Sequence, residues 1–310
     1  MATQPELSGP EVRFRPKPPW LKVRLGSGET FGRLKAVLRE NNLVTVCEEA
    51  RCPNIGECWG GGTATFMLMG DTCTRGCRFC AVKTARRGQP LDPEEPAKIA
   101  RTVAAMGLDY IVLTSVDRDD LPDQGAAHFA ATIEAIKTAD SSILVEVLIP
   151  DFRSDRACLE TIAAAMPEVI AHNLETVERL TPHVRDAKAT YRQSLDVLAA
   201  LKQISPEGYT KSALMVGLGE SEAELMTAMD DLRAVGTDIL TIGQYLQPTK
   251  KHLEVVEFVH PDRFAALQAA AEAKGFLFVA SGPLVRSSYR AGEYFIRNAI
   301  EKSEQLTVNS

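Results

Sequence analysis

The stretch TATFMLMGDTCTRGCRFC, residues 63–80, joins a short apolar run to three closely spaced cysteines. The run, at about 64–69, is typical of a buried strand, and Gly70 and Gly76 indicate that the cysteines lie in the loop that follows it. That loop carries a C-x3-C-x2-C pattern, formed by Cys73, Cys77 and Cys80. Three thiols so close together in a loop are able to converge on one metal centre.

Short runs rich in Val, Ile and Leu recur along the rest of the chain and alternate with segments of helical periodicity. Further runs lie at about 109–114, 143–149, 168–173, 211–216 and 238–243, with a seventh at Phe276–Ala280. The helical segments are Pro96–Met106, Ala127–Lys137, Tyr191–Lys202, Ser221–Val235 and Pro261–Lys274. This alternation predicts βαβ units and a parallel sheet, here a partial (β/α)6 TIM-like barrel.

Polar loops follow several of the predicted strands, at Thr114–Asp120, His172–Thr176 and Gln244–Gln247. In (β/α) barrels the active site lies at the carboxyl ends of the strands. We therefore expect the site at this end of the barrel, beside the cysteine loop.

Composition excludes several classes of protein. The 310 residues are 45% hydrophobic and 25% charged, close to an average globular protein, and the net charge of −6 argues against a nucleic-acid partner. No stretch approaches the roughly 20 apolar residues that a membrane span needs. Residues Met1–Pro10 lack a signal-peptide pattern, so we expect a cytoplasmic location, reduced thiols and a monomer.

Six of the seven cysteines lie between Cys47 and Cys80. The earlier three form a C-x4-C-x5-C pattern, made by Cys47, Cys52 and Cys58. Neither triad has a fourth Cys or His close by, whereas a structural zinc site needs four ligands. A [4Fe–4S] cluster with three thiolates keeps one iron open, so two clusters are favoured over a zinc site completed by a distant His. Cys158, in an apolar helical pattern, is expected to be a buried core thiol.

The C-x3-C-x2-C loop after the first strand of a partial barrel, with Phe79 before the last cysteine, resembles the radical S-adenosylmethionine superfamily. The resemblance implies that Cys73, Cys77 and Cys80 hold a [4Fe–4S] cluster. It also implies that the methionine part of S-adenosylmethionine binds the open iron. One electron would then cleave the sulfonium to give a 5′-deoxyadenosyl radical.

Two triads in this order are similar to the lipoyl synthase family, an expected sulfurtransferase of class EC 2.8.1.8. Other stretches agree, from about residue 16 to 298: Lys17–Trp20, Glu48–Asn54, Arg118–Asp123, Leu148–Phe152, Ala171–Thr176 and Arg286–Tyr289. The implied reaction inserts sulfur at C6 and C8 of an octanoyl chain on a carrier lysine. The auxiliary cluster, on Cys47, Cys52 and Cys58, would supply the sulfur, with Ser288 or, less favoured, Ser287 as its fourth ligand.

The resemblance also implies partners. They are octanoylated lipoyl carrier domains, namely the E2 subunit of 2-oxoacid dehydrogenases and the glycine cleavage H protein, and a low-potential donor of flavodoxin or ferredoxin type. The basic arm Arg13–Arg24 is a candidate to dock an acidic carrier. Unactivated C–H bonds offer no acidic proton, so we expect no acid–base catalytic residue and cofactor radical chemistry instead.

Five residues are candidates for binding S-adenosylmethionine: Asn173, Glu175, Arg192, Gly217 and Gly219. Each has an ordinary structural alternative. Asn173 and Glu175 could cap a helix, Arg192 could be a solvated arginine on a helix face, and Gly217 and Gly219 could form a βα turn. The G-x-G-x-x-G fingerprint fails because position 222 is Glu. Lys211, in a predicted strand, either points into the barrel or lies at an edge.

We expect three regions: an N-terminal extension with the auxiliary-cluster motif over 1–62, the radical barrel over 63–281, and a C-terminal capping segment with the Arg-Ser-Ser-Tyr motif over 282–310. Rival interpretations are another two-cluster radical enzyme, such as biotin synthase or a tRNA methylthiotransferase, and a zinc-binding interaction module. The methylthiotransferase should carry an added RNA-binding domain, for which the chain has neither the length nor the basic charge.

Overall fold

The computed structural model describes residues 16–22 and 63–288, together with residues 32, 35–36, 38–39, 41, 43–49 and 54–55. Its ten strands within these residues are β1 Val44–Thr45, β2 Thr63–Leu68, β3 Thr72–Cys73, β4 Lys83–Thr84, β5 Tyr110–Ser115, β6 Leu144–Leu148, β7 Val169–Ala171, β8 Tyr209–Val216, β9 Ile239–Gln244 and β10 Phe278–Gly282.

The helices connect successive strands of the barrel. They are α1 Val46–Glu49, α2 Glu95–Met106, α3 Ala126–Ala139, α4 Arg156–Ala164, α5 Thr181–Val184, α6 Tyr191–Ile204, α7 Glu222–Ala234 and α8 Pro261–Ala273. Short 3-10 turns lie at Pro19–Leu21 and Phe152–Ser154.

The main sheet has the strand order β1-β2-β5-β6-β7-β8-β9-β10. All neighbours pair in parallel except β1, which runs antiparallel to β2. Parallel strands joined by helices wind in one direction, so all their carboxyl ends meet at one face. The fold is the partial TIM-like barrel that the sequence predicts, and that face is its mouth.

All seven predicted apolar runs are strands of this sheet. The predicted barrel has six strands, but the seventh run is β10, which pairs in parallel with β9 and extends the barrel to seven parallel strands. The five predicted helices are α2, α3, α6, α7 and α8. The division of the chain at residues 62 and 281 stays a prediction.

Two hydrophobic clusters form the core. One lies under β2, β5 and β6 with α2 to α4, and the other lies under β8 and β9 with α6 to α8. Cys158 is buried in the first cluster, as predicted. Because strands buried on both faces carry apolar side chains continuously, their sequence runs are unbroken rather than alternating.

Lys211 points inward, which settles the alternative left open by the sequence. Its Nζ donates to Glu146 Oε1 at 2.6 Å, and Tyr110 donates to Glu146 Oε2 at 2.6 Å. Lys211 and Glu146 are each 2% exposed, so the pair is a buried salt bridge within the barrel. Tyr110 begins β5 and Lys211 is the third residue of β8, which places the pair towards the end of the barrel opposite the mouth.

Candidate functional site

The cysteine loop leaves the mouth directly after β2. Met69 and Gly70 turn the chain with positive φ values of 65° and 85°. The strands β3 and β4 then pair in parallel, and Ala85 N donates to Cys73 O at 3.0 Å, so the two ends of the loop are held together. The loop that carries the three thiols is therefore closed at its base.

Backbone N–H groups point at the sulfur atoms of this loop. Arg75 N and Asp117 N each lie 3.4 Å from Cys73 Sγ, and Asp186 N lies 3.3 Å from Cys77 Sγ. Burial raises the pKa of Cys80, and a backbone hydrogen bond from Val82 opposes that rise. Hydrogen bonds to the sulfurs are one means by which proteins tune iron–sulfur clusters, so these donors fit a cluster ligated by the three thiolates.

Burial acts against the charged form of these thiols. It raises the pKa of Cys73 to about 12, helped by the Asp117 carboxylate, and it raises the pKa of Cys77 to about 12. Burial also raises the pKa of Cys80, with Glu175 contributing. The thiols become thiolates when a cation binds, so cluster binding releases protons. Among the described residues no three His, Cys, Asp or Glu side chains form a group that holds a single metal ion; in a cluster, by contrast, each thiolate binds a different iron.

Arg75, between the first two cysteines of the loop, anchors the loop to the barrel. Its side chain is 3% exposed; Nη1 and Nη2 donate to Asp151 at 2.5 and 2.8 Å, and Nε and Nη2 donate to Asp119 at 3.1 and 2.9 Å. Asp117 is 3.4 Å from Nε and 3.5 Å from the Cys73 thiol. Sequence reasoning missed this cluster of ion pairs, although both carboxylate segments were among the stretches expected to matter.

Asn173 and Glu175 lie together beside the cysteine loop. Asn173 Nδ2 donates to Glu175 Oε1 at 3.0 Å, and the buried Asn173 Oδ1 has no hydrogen-bond partner within the described part of the chain. Burial raises the pKa of Glu175, whose charge in turn acts on Cys80. Glu175 also has a φ of +70° while its N–H and C=O pair with Ala213 and Met215. A strained non-glycine residue held by the sheet is typical of a functional site.

The other three candidates occupy different surroundings. Arg192, on the first turn of α6, donates from Nε and Nη2 to the two oxygens of Glu178 at 2.9 and 3.1 Å and is exposed. Gly217 N donates to Glu220 Oε1 at 2.6 Å, and Gly219 O accepts from Arg179 at 2.9 Å. The roles of these three residues in binding S-adenosylmethionine stay predictions.

A segment after β9 packs on the outside of the cysteine loop. His252 Nε2 donates to Cys80 O at 2.9 Å, and Leu253 N donates to Arg78 O at 3.3 Å. Thr249 Oγ1 lies 2.8 Å from His252 Nδ1, which fixes the ring. No sequence pattern marks His252, because its partner is a backbone carbonyl 172 residues away.

The segment after β10 also lies at the mouth. Arg286 Nη1 lies 3.5 Å from the carbonyl oxygen of Gln244, the last residue of β9, and Ser287 and Ser288 follow, half-buried. Asn54 is buried, and its Nδ2 donates to Leu284 O at 2.6 Å across 230 residues. Cys52 and Cys58, on either side of Asn54, lie outside the described residues, as does the Cys47 side chain.

Two family models match the chain. That of the radical SAM superfamily matches residues 67–232, and that of the N-terminal domain of lipoyl synthase matches residues 8–52. The chain is 58% identical over 297 residues to the mitochondrial lipoyl synthase of Aedes aegypti, covering 93% of this chain and 76% of the relative. This chain belongs to the lipoyl synthase family. It is thus a radical S-adenosylmethionine enzyme, a sulfurtransferase whose cofactors are S-adenosylmethionine and [4Fe–4S] clusters.

A second lipoyl synthase agrees with this assignment, and two solved structures agree with the fold. The mitochondrial lipoyl synthase of Danio rerio is 58% identical over 300 residues, 94% of this chain and 75% of the relative. Methylornithine synthase has a TM-score of 0.53 at 13% identity, with 83% of each chain covered. Streptococcus suis SuiB bound to S-adenosylmethionine has a TM-score of 0.55 at 10% identity, covering 81% of this chain and 54% of SuiB. At such identities the two structures support the fold alone.

The lipoyl synthases named here are mitochondrial, so the expected cytoplasmic location stays a prediction. Across the described residues, each helix is too short or too polar to cross a membrane.

Proposed function

We propose that this chain is a lipoyl synthase that inserts sulfur at C6 and C8 of an octanoyl group carried on a lysine of a lipoyl carrier domain. The observation that carries the proposal is the Asn54–Leu284 hydrogen bond, because Asn54 lies between Cys52 and Cys58 in sequence and Leu284 follows β10 at the mouth that carries the second triad. Sulfur insertion needs two clusters close to the same octanoyl chain. One cluster starts the radical chemistry, and the other supplies the sulfur.

Cys73, Cys77 and Cys80 would hold the radical cluster, because three thiols share one closed loop and their sulfurs accept backbone N–H groups. When bound, the cluster and S-adenosylmethionine supply a radical able to abstract hydrogen from an unactivated C–H bond. The protein orients the reactants and excludes water at the mouth, and no acid–base residue is required.

Cys47, Cys52, Cys58 and Ser288 would hold the auxiliary cluster. Support for Ser288 is its position four residues after Leu284, the partner of Asn54. A serine oxygen is a harder ligand than a thiolate and is poorly matched to iron–sulfur centres, so it suits a cluster that must give up sulfur. Ser287 is the second choice for the same position.

Asn173 and Glu175 are our first choice for the amino group of S-adenosylmethionine. Asn173 Oδ1, which has no partner among the described residues, could accept a hydrogen bond from the amino group. The buried Glu175 carboxylate has lost its hydration, and a bound cation would stabilise its negative charge. Arg192, Gly217 and Gly219 would complete the site. The described contacts of these three are with protein groups, so they rank below the first pair.

The partners we propose are octanoylated E2 lipoyl domains or the glycine cleavage H protein, and a low-potential donor of flavodoxin or ferredoxin type. We keep a cytoplasmic location and a monomeric state as parts of the proposal. Cell fractionation and light scattering test them separately.

The decisive experiment is anaerobic turnover with an octanoyl-lysine peptide and dithionite, read by mass spectrometry for one and then two added sulfurs. Metal analysis should find about eight irons and about eight sulfides per chain for two [4Fe–4S] clusters. Zinc without sulfide would favour the interaction module and overturn the proposal.

Single variants separate the two clusters. Cys73→Ala, Cys77→Ala or Cys80→Ala should abolish reductive cleavage of S-adenosylmethionine, whereas Cys47→Ala, Cys52→Ala or Cys58→Ala should spare cleavage and stop sulfur insertion. Ser288→Ala should block product while the spectrum of the radical cluster stays nearly unchanged, with Ser287→Ala as its matched control. If Ser288→Ala keeps full activity, the ligand is elsewhere.

A further inference from the structure

Most cationic side chains of the barrel are paired. Of the Arg and Lys residues within 63–288, five have side chains that make no hydrogen bond or ion pair with a described residue: Arg86, Arg87, Arg101, Lys250 and Lys251. All five are exposed. Arg101 lies on α2, and the other four form two adjacent pairs in segments that border the radical-cluster loop.

Each pair is next in sequence to a residue that contacts the backbone of a predicted cluster ligand. Arg86 follows Ala85, whose N–H donates to Cys73 O at 3.0 Å. Lys250 and Lys251 precede His252, whose ring donates to Cys80 O at 2.9 Å. The two pairs therefore adjoin residues that are hydrogen-bonded to the cysteine loop, and we call these four residues the basic rim.

The charge of the basic rim differs from that of the chain. The whole protein carries a net charge of −6, yet four cations without a side-chain partner in the described part of the chain lie near the cluster loop. Lys83 is not part of the rim, because it pairs with Asp71. Glu254 is the nearest carboxylate that follows the lysine pair in sequence. Exposed charges without internal partners raise the association rate of an oppositely charged protein.

We propose that the basic rim docks the acidic protein that delivers the electron to the radical cluster, an inference that rests on the proposed function. One electron leaves the reduced donor and enters the cluster, so the donor is oxidised by one electron and the cluster reduced by one, with no bond made or broken. Electron transfer slows steeply with distance, so the donor must dock where the cluster loop meets the surface.

Position favours the electron donor over the lipoyl carrier. The carrier's acyl chain must reach sulfur from the proposed auxiliary cluster, and Asn54, between Cys52 and Cys58 in sequence, donates to Leu284 after β10. The donor needs only the radical cluster, and Ala85 and His252, the sequence neighbours of the basic rim, contact the backbone of Cys73 and Cys80. Both partners are proteins, so direct binding measurements with each of them distinguish the two.

The test replaces the four cations in the holoenzyme: Arg86→Gln, Arg87→Gln, Lys250→Gln and Lys251→Gln, as two double variants and as the quadruple variant. Arg101→Gln is the matched control, since Arg101 is equally exposed and unpaired but lies on α2. Binding of an acidic flavodoxin is measured by calorimetry, and cluster reduction by stopped-flow absorbance with reduced flavodoxin or with dithionite.

The quadruple variant should bind flavodoxin at least about 10-fold more weakly and be reduced by it about 10- to 100-fold more slowly at low salt. Its salt dependence should flatten, because screening acts on the removed charges. Reduction by dithionite and the KM for an octanoylated H protein should stay at wild-type values. The flavodoxin affinity and reduction rate of each double variant should lie between those of the wild type and the quadruple variant. Both values for Arg101→Gln should match the wild type.

Unchanged flavodoxin binding in the quadruple variant overturns the proposal. So does a raised KM for the octanoylated H protein with unchanged flavodoxin binding, which would assign the basic rim to the carrier. Failure of the proposed function looks different, because dithionite would then give no sulfur insertion even in the wild type.

Discussion

At the scale of single residues, Arg75 controls the position of the cysteine loop. It is the only cation of the described chain whose guanidinium bonds both Asp119 and Asp151, and these carboxylates are 5% and 1% exposed. Burial opposes their charge, but the hydrogen bonds to Arg75 hold the pKa of both below the usual range. A buried pair of this kind is strongly destabilised when one partner is removed, because the other charge stays buried.

Arg75→Gln should therefore lower the free energy of unfolding by about 3–5 kcal/mol. Arg153→Gln is the matched control, since Arg153 also contacts Asp119 but is 53% exposed, and it should cost less than about 1 kcal/mol. Arg75→Lys keeps the positive charge but lacks the planar guanidinium that bonds two carboxylates, so its loss of unfolding free energy should lie between those of the other two variants. Anaerobic urea denaturation with the clusters bound measures all three. Equal stabilities for Arg75→Gln and Arg153→Gln would contradict this role.

At the scale of elements, the turn from β8 to α7 clamps the segment that follows β9. Gln244 Nε2 donates to Glu257 O at 3.0 Å, and its Oε1 accepts from Val259 N at 2.8 Å. A β-carbon at Gly217 would lie 2.2 Å from Gln244 Nε2 and 2.4 Å from Glu257 O. Gly217 therefore permits the close approach that keeps the segment carrying His252 in place.

Gly217→Ala and Gly219→Ala separate this clash from backbone strain. Both positions have positive φ, +97° and +100°, so both substitutions should cost about 1–3 kcal/mol of strain. Of the described residues, only Val256 would contact a β-carbon at Gly219, at 3.8 Å, so Gly217→Ala should cost about 1–3 kcal/mol more. Hydrogen exchange across residues 245–259 should accelerate in Gly217→Ala alone. Equal hydrogen-exchange rates in the two variants would contradict the role of Gly217 in holding this segment.

Sequence patterns predict the long strands of the barrel but neither the short strands nor the contacts between distant loops. Barrel strands are buried on both faces, so continuous apolar runs mark all seven parallel strands, although the predicted barrel counts only six of them. The two-residue strands β1, β3 and β4 are too short to leave a periodic signal. The cysteine spacing predicted the triads, but the partners of Arg75 and His252 come from distant loops. Only the folded chain brings those groups together.

At the scale of the whole molecule, His172 joins the end of β6 to helix α6. Its Nδ1 donates to Ile149 O at 3.0 Å, and its Nε2 lies 2.9 Å from Ser194 Oγ, which also accepts from Arg185 at 2.7 Å. Burial, together with the nearby Arg185, lowers the pKa of His172 from 6.5 to about 4. The ring is therefore neutral in the folded protein at physiological pH.

This shift makes stability depend on pH. Between about pH 6.5 and 4 the unfolded chain binds a proton at His172 and the folded chain does not, so the free energy of unfolding falls as the pH falls through this window. From pH 7 to 5 the loss of unfolding free energy that comes from His172 is about 2 kcal/mol.

The variant His172→Gln should be less stable than the wild type at pH 7, but its stability should not show this part of the loss between pH 7 and 5. The exposed His183→Gln is the control and should keep the full wild-type pH dependence. Urea denaturation at the two pH values measures the difference, and a His172→Gln variant with an undiminished loss would show that the proton is bound elsewhere.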